Sequence, residues 1–454
     1  MGRLRRSIPA SVATLALALS LAAPAVLAGG GFSNLEADAT FGVDMTFSAS
    51  WAGTADHVEL LLGFGGEDRL VVPITPSGDE LSYQRDMAED YLPPNTTVTY
   101  QWRAVTGDRA TLSTEQTLLY DDDRSHLDWE QDEIGSATVH WYGGNETIAR
   151  RFGDLAGDAA DAAGVLLGRP LADPISIFVY EAREDFLGAI GPGSREWIGA
   201  ATFPNIRTVF MWLEAGSEAY LETTLAHEVT HVVFADASAN PFHDPATWLN
   251  EGTAVWSEVG NAETEADIVE QEARIGGLMA FEALTDQFPI DTRGATLAYA
   301  QGATMVDHIL ATYGDDALAA IMDAYRDGAT DAEAIEDGTG TPFDEIRADY
   351  FASFGTTEPE PIEPVELGDS DVPLPGGGTG TGPSSAADPG PTEPDETPDV
   401  VWWLIIGLVL IGVVFVGTVA WRARRAGSPP AEPPQAPPAE PPAPPPAPPG
   451  GGDA

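Results

Sequence analysis

His227-Glu228-Val229-Thr230-His231, with Trp248-Leu249-Asn250-Glu251-Gly252-Thr253-Ala254 following 20 positions on, decides how this chain is read. Around the first pentapeptide, Leu221, Leu225, Val229 and Val232 form an apolar stripe at helical spacing, and Ser217 suits the N-cap. Residues four apart on a helix lie one above the other on the same face. Two imidazoles so placed can both reach one Zn²⁺ at roughly 2.0–2.1 Å. Glu228 adjoins the first of them and points to the side of the metal, where it can take a proton from water. A catalytic zinc needs a third protein ligand and an open position. Glu251, at the start of a second short helix after the turn-rich loop Asn240 to Pro245, is the best candidate. His243 is the alternative, with weaker geometry because it lies in that loop. With only seven His in the chain, a chance H-E-x-x-H is expected on the order of once in a hundred such sequences.

H-E-x-x-H followed by W-L-N-E-G-x-A resembles the gluzincin zinc metallopeptidases, in particular the peptidase-MA-like domains and, more distantly, the aminopeptidase N family. The resemblance spans residues 134–355. It implies a thermolysin-like α+β catalytic fold, one Zn²⁺ per chain and hydrolysis of peptide bonds in a peptide or protein substrate. By matching position, His227, His231 and Glu251 would be the zinc ligands and Glu228 the general base. Glu258 matches a Glu of the aminopeptidase N segment, where it would orient a metal ligand from behind. Read alone, it is equally an exposed helix carboxylate. Tyr299-Ala300-Gln301-Gly302 resembles the Y-x-x-G of the same family, whose Tyr hydroxyl donates to the oxyanion of the tetrahedral intermediate. Read alone, Tyr299 is a core tyrosine packed on a helix at 303–313. The chain departs from that family in having no G-x-M-E-N segment, which puts exopeptidase action in doubt, and its loop between His231 and Glu251 is one residue longer. The stretch 199–213 could offer a sheet edge to an extended peptide.

Composition narrows the remaining choices. The 454 residues carry 72 acidic and 21 basic side chains, a net charge of −51, and every basic residue is Arg. Nucleic acid is excluded as a partner, because phosphate binding needs clustered cations. The absence of cysteine excludes disulfides, thiol nucleophiles, Cys-type zinc fingers and iron–sulfur clusters. Metal ligation is left to His and carboxylate. Hydrophobic residues make up 43% of the chain, enough for a sizeable core despite the charge.

Around the motif the chain reads as multidomain. Residues 1–28 have the basic start, apolar run and small-residue end of a signal peptide, with an uncleaved anchor as the alternative. Residues 29–125 read as an all-β immunoglobulin- or fibronectin-like sandwich: alternating runs at 44–48, 57–61, 70–74 and 97–103 are separated by turn signals, and Trp102 is the expected core aromatic. The acidic stretch Asp121 to Glu133 reads as a solvated connector, with calcium binding by Asp121-Asp122-Asp123 as the alternative. Strands at 138–142, 175–180 and 207–213, a helix at 146–167, a Gly-rich loop at 188–199 and a helical run from 217 to 354 complete the α+β domain. Residues 356–399 form an acidic Pro/Gly-rich linker, expected to be disordered and extended. Residues 400–421 are apolar, uncharged and long enough to span a bilayer, with Trp402, Trp403 and Trp421 near the ends. Arg422, Arg424 and Arg425 then place the Pro-rich tail 422–454 in the cytoplasm. The expectation is a single-pass cell-membrane protein with its N-terminal domains outside the cytoplasm.

Two functions fit this reading. One is a membrane-anchored zinc peptidase. The other is a non-catalytic surface-binding protein with a structural zinc, against which Glu228 speaks, since a structural site needs no base. An inhibitory role for the sandwich has no support in its sequence over a plain spacer.

Overall fold

The structure, a computed structural model, describes residues 31–65, 69–191, 199–214, 218–289 and 291–361. By internal contacts the chain divides into two compact units. One holds Thr96–Asp121 and the chain up to Asp90; the other holds Tyr91–Asn95 and the chain from Asp122 on.

The first unit is built from β1 (Gly31–Thr40), β2 (Asp44–Ala52), β3 (His57–Phe64), β4 (Leu70–Ile74), β5 (Glu80–Asp86), β6 (Thr96–Thr106), β7 (Arg109–Leu112) and β8 (Gln116–Tyr120). They make two antiparallel sheets, β1-β2-β5 and β4-β3-β6-β7, with β8 pairing along β6 beyond β7. Alternation decides what faces inward: Met45, Phe47, Ala49 and Trp51 on β2, Val98, Tyr100, Trp102 and Ala104 on β6. Phe47 meets Tyr100 edge-on across the two sheets, ring centroids 5.2 Å apart. Trp102 is fully buried. The four expected runs fall on β2, β3, β4 and β6. β1 and β5 were not among them, since their residues are largely exposed and polar. Both exist through backbone pairing to the strongly patterned β2.

The second unit starts with β9 (Glu130–Ile134), β10 (Ala137–Trp141), α1 (Glu146–Leu166), β11 (Ile175–Tyr180), α2 (Arg183–Ile190), β12 (Ala200–Phe203) and β13 (Thr208–Trp212). Its sheet runs β12-β13-β11-β10-β9; β13, β11 and β10 are parallel, and the two outer strands are antiparallel to their neighbours. Both faces are covered, so the parallel strands read as continuous apolar runs. Ile175, Ile177 and Val179 face the main core with the small residues Ala149, Ala156 and Ala160 of α1. Phe178, Tyr180 and Phe210 face an aromatic layer with Phe186 and Trp129. Then follow α3 (Glu218–Ser238), α4 (Thr247–Val259), α5 (Glu263–Ile275), α6 (Thr292–Tyr313), α7 (Ala317–Arg326), α8 (Asp331–Thr339) and α9 (Phe343–Ser353). A β-rich N-terminal region is thus followed by a largely helical domain, as expected.

Three local expectations need correction. The stretch from Asp121 to Glu133 is not merely a solvated connector: β9 lies within it, because the free edge of β10 supplies backbone partners to a strand whose own side chains are mostly acidic. The Asp122 carboxylate is buried, held by Arg124 Nε at 2.7 Å and by the Tyr180 hydroxyl at 3.0 Å, which engages both its oxygens in protein contacts rather than a calcium site. In the region 188–213, α2 runs on to Ile190 and β12 precedes β13, while most of the expected Gly-rich loop 188–199 lies outside the described residues. Among the described residues no helix is long and apolar enough to cross a membrane. The expected signal peptide 1–28, the span 400–421, the tail 422–454, Ser217 and most of the linker 356–399 lie outside the described residues.

Candidate active site

The site is assembled by α3, α4 and the edge strand β12. α3 is held from several sides: Leu221, Leu225, Val229, Val232 and Val233 are all buried in the main core. Its buried hydroxyls return to the helix itself, as with Thr230, which donates to the Ala226 carbonyl at 2.8 Å. α4 is fixed at its start by Asp331, whose Oδ1 accepts from the Ala246 amide at 2.9 Å and the Tyr325 hydroxyl at 2.6 Å. α4 then crosses α6 at Gly252 and Gly302. A Cβ on Gly302 would sit 2.7 Å from the Trp248 carbonyl oxygen, so only glycine lets the helices come this close.

These elements bring His227, Glu228, His231 and Glu251 together, each at most 8% exposed. The His227 and His231 rings lie 4.8 Å apart at 77°. Glu251 Oε2 is 3.6 Å from His227 Nε2 and 3.5 Å from His231 Nε2. A tetrahedral ion with bonds of roughly 2.0–2.1 Å separates neighbouring ligand atoms by about 3.4 Å, so the spacing fits. His227 Nε2 and Glu251 Oε2 are also buried without a hydrogen-bond partner among the described residues. Buried polar atoms are ordinarily paired, and two orphans aimed at one point suit a cation. Among the described residues, His227, His231 and Glu251 are the group of His and carboxylate side chains spaced to hold a metal.

Support comes from behind. Glu258 Oε1 lies 2.9 Å from His227 Nδ1, and Asn250 Oδ1 lies 3.0 Å from His231 Nδ1. Both oxygens accept, so each Nδ1 carries its hydrogen and each Nε2 lone pair is turned to the shared point. Glu258, which read alone is an exposed helix carboxylate, sits against the His227 imidazole. Asn250 was not singled out in the sequence, although it directly precedes Glu251. Thr202 was not either, and no linear signal marks it. Its hydroxyl donates to the Glu228 carboxylate and lies 3.2 Å from the Glu228 carbonyl oxygen.

Burial governs the charges. It pushes the Glu228 carboxyl up, against the pull of the His227 and His231 charges. For His227, burial alone lowers the pKa, but the negative carboxylates of Glu251 and Glu258 beside it outweigh that and raise it to about 10. For Glu251, burial raises and the His231 and His227 charges lower, leaving it at about 2.

Two further expected residues sit on other elements. Tyr299 is fully buried on α6, edge-on to Phe288 at 5.0 Å, one turn before the Gly302 crossing. His243 is not with His227, His231 and Glu251: its Nε2 is 3.1 Å from Asp331 Oδ1 and its ring stacks on Tyr325.

Comparison with known proteins shows what the chain is similar to. Residues 158–353 match the model of the Peptidase MA superfamily. No curated protein matches the chain. Among solved structures, the M1 zinc metallopeptidase from Deinococcus radiodurans is similar over 70% of this chain and 91% of its own, at 15% identity and a TM-score of 0.32. A two-domain mutant form of an M1 zinc metallopeptidase bound to L-arginine gives 70%, 90%, 14% and 0.29. The Br derivative of BhCBM56 is similar over 19% of this chain and 88% of its own, at 13% identity and a TM-score of 0.16.

Proposed function

We propose that this chain, whose residues 158–353 form a Peptidase MA superfamily domain, is a zinc-dependent peptidase anchored in a membrane with its folded units outside the cytoplasm. The observation that carries the catalytic part is the convergence of His227, His231 and Glu251 with the buried carboxylate of Glu228 beside them. His227, His231 and Glu251 would hold one Zn²⁺ per chain. When bound, zinc acts as a Lewis acid and lowers the pKa of water. Glu228 takes the proton of the attacking water and delivers it to the leaving amine. Tyr299, on the helix that α4 crosses, donates its hydroxyl to the oxyanion. Glu258 and Asn250 hold the imidazoles in the tautomer that presents Nε2. The substrate is a peptide or protein.

In this reading the chain is laid out as signal peptide 1–28, immunoglobulin/fibronectin-like sandwich 29–125, peptidase domain 134–355, linker 356–399, span 400–421 and cytoplasmic tail 422–454. The two antiparallel sheets support the sandwich. The membrane placement rests on the sequence alone, on the apolar run at 400–421 and the arginines that follow it.

The test is to purify the chain, measure its zinc and profile cleavage products from an unbiased peptide mixture. Zinc near one per chain, and hydrolysis lost in Glu228→Gln, are expected. Hydrolysis unchanged in Glu228→Gln contradicts the mechanism. The cleavage pattern reads endo- against exo-action directly.

A further inference from the structure

We propose that Thr202, on the edge strand β12, is a positioning residue for the general base: its hydroxyl holds one oxygen of the Glu228 carboxylate and so fixes which oxygen moves the proton. The proposal rests on the peptidase reading above and goes beyond it to a residue that neither the sequence motifs nor the family match marks. Thr202 and Glu228 come from different layers of the domain, a strand at the sheet edge and the helix beneath it. Both are almost wholly buried, at 5% and 3% exposure.

The geometry leaves Thr202 little freedom. β12 pairs antiparallel with β13, which places Thr202 opposite Val209. Alternation along the strand then decides its facing. Its one hydroxyl hydrogen has two oxygens of Glu228 within reach, carboxylate Oε2 and the main-chain carbonyl at 3.2 Å, and the carboxylate is the nearer. A hydrogen bond to an ionised acceptor is also the stronger of the two. With Oε2 engaged, Oε1 is the oxygen that receives the proton from water and returns it to the leaving amine. No atom of Thr202 exchanges with substrate in this step. Its effect passes through Glu228.

A buried carboxylate on a helix has several rotamers, and general base catalysis depends on the one within hydrogen-bond reach of the water. Thr202 selects that rotamer from the strand side. Glu228 is thereby tied to β12, so displacement of this strand also displaces the base.

The experiment uses the full chain in two arms. In the first, kcat and KM are measured on a peptide identified from the mixture, for wild type, Thr202→Val, Thr202→Ser and Glu228→Gln, each with its zinc content. Val keeps the shape and loses the hydroxyl, whereas Ser keeps the hydroxyl and loses the methyl. Expected are a fall in kcat of about 10- to 100-fold in Thr202→Val with KM within about threefold. Thr202→Ser is expected within about threefold of wild type, with zinc unchanged throughout. In the second arm, melting temperatures of the metal-free protein are read for Thr202→Val, Glu228→Ala and the double variant. Thr202→Val should lower Tm by at least about 2 °C more when Glu228 is present than when it is absent. Wild-type kcat in Thr202→Val, or a Ser variant as impaired as Val, overturns the proposal while leaving the peptidase standing. Additive Tm changes overturn it as well. If wild type cleaves nothing, the peptidase reading fails and the positioning role fails with it, even where the Tm cycle shows the contact.

Discussion

Two clusters built round buried carboxylates lie against opposite faces of the same sheet, and they are built to opposite ends. On the aromatic face, Asp122, Arg124, His126, Tyr142, Tyr180 and Asp185 form a network in which all four carboxylate oxygens have a donor. Asp122 takes Arg124 Nε at 2.7 Å and Tyr180 at 3.0 Å; Asp185 takes His126 Nε2 at 2.7 Å, Arg124 at 3.2 Å and Tyr142 at 3.0 Å. On the helical face, His227 Nε2 and Glu251 Oε2 are buried with no such partner among the described residues. The cost of desolvating charge is met inside the protein in the first cluster and only in part in the second. The contrast teaches that burial of charge alone does not mark a reactive site. What marks it is burial with orphaned ligand atoms converging on one point.

This contrast can be broken or sharpened by substitution, starting with the largest expected effect. Glu228→Gln should cut hydrolysis by about 10²- to 10⁴-fold with zinc content intact, read by steady-state kinetics and metal analysis. Arg124→Met, in the other cluster, leaves two buried carboxylates short of their cation. Urea unfolding should show a loss of about 3–5 kcal/mol, while zinc content per folded chain stays at wild type. Should Arg124→Met lose zinc in the folded state, the two clusters are not independent. Removing zinc with a chelator should lower stability by about 3–4 kcal/mol at free zinc 100 to 1,000 times Kd, measured as a Tm difference between loaded and stripped protein. Gly302→Ala drives a methyl toward the Trp248 carbonyl. It should cost about 1–3 kcal/mol and weaken zinc retention by moving the helix that carries Glu251. Unchanged zinc affinity there would show that α4 gives way without shifting its ligand.

The smallest effect concerns His140, whose ring stacks on Phe178 at 4.1 Å beside the aromatic cluster. Burial lowers its pKa to about 4. Its folded value lies below the unfolded value near 6.5, so the stability linked to the neutral ring is complete above that value. It is lost progressively as pH falls from 6.5 toward 4. His140→Phe should flatten the Tm profile between pH 6.5 and 4. A profile as steep as wild type would assign the acid sensitivity to other groups.

Much of the catalytic side was legible in the linear sequence because helical spacing is a short-range rule. His227 and His231 stand one turn apart on α3, and Glu251 falls on α4, as their spacing and setting suggested. Period-2 alternation likewise located β2, β3, β4 and β6. What the sequence hid depends on pairing at long range. β9 and β12 are strands because a neighbour's edge is free, and neither carries a strong pattern of its own. Thr202 therefore reaches Glu228 through a sheet register that no local rule encodes. Asn250 was within reach of inspection, since a polar residue beside a ligand can turn back to the other imidazole. The burial of Asp122 depended on Arg124 and Tyr180 arriving together, and the run of acids around it gave no sign of that.

Anomalous diffraction at the zinc edge, on crystals of the zinc-loaded chain, tests the central claim most directly. The account predicts one strong peak within bonding distance of His227 Nε2, His231 Nε2 and a Glu251 oxygen, and its disappearance in Glu251→Gln crystals or in chelator-treated ones. No peak among these three residues, or a peak at His243 and Asp331 instead, would contradict it.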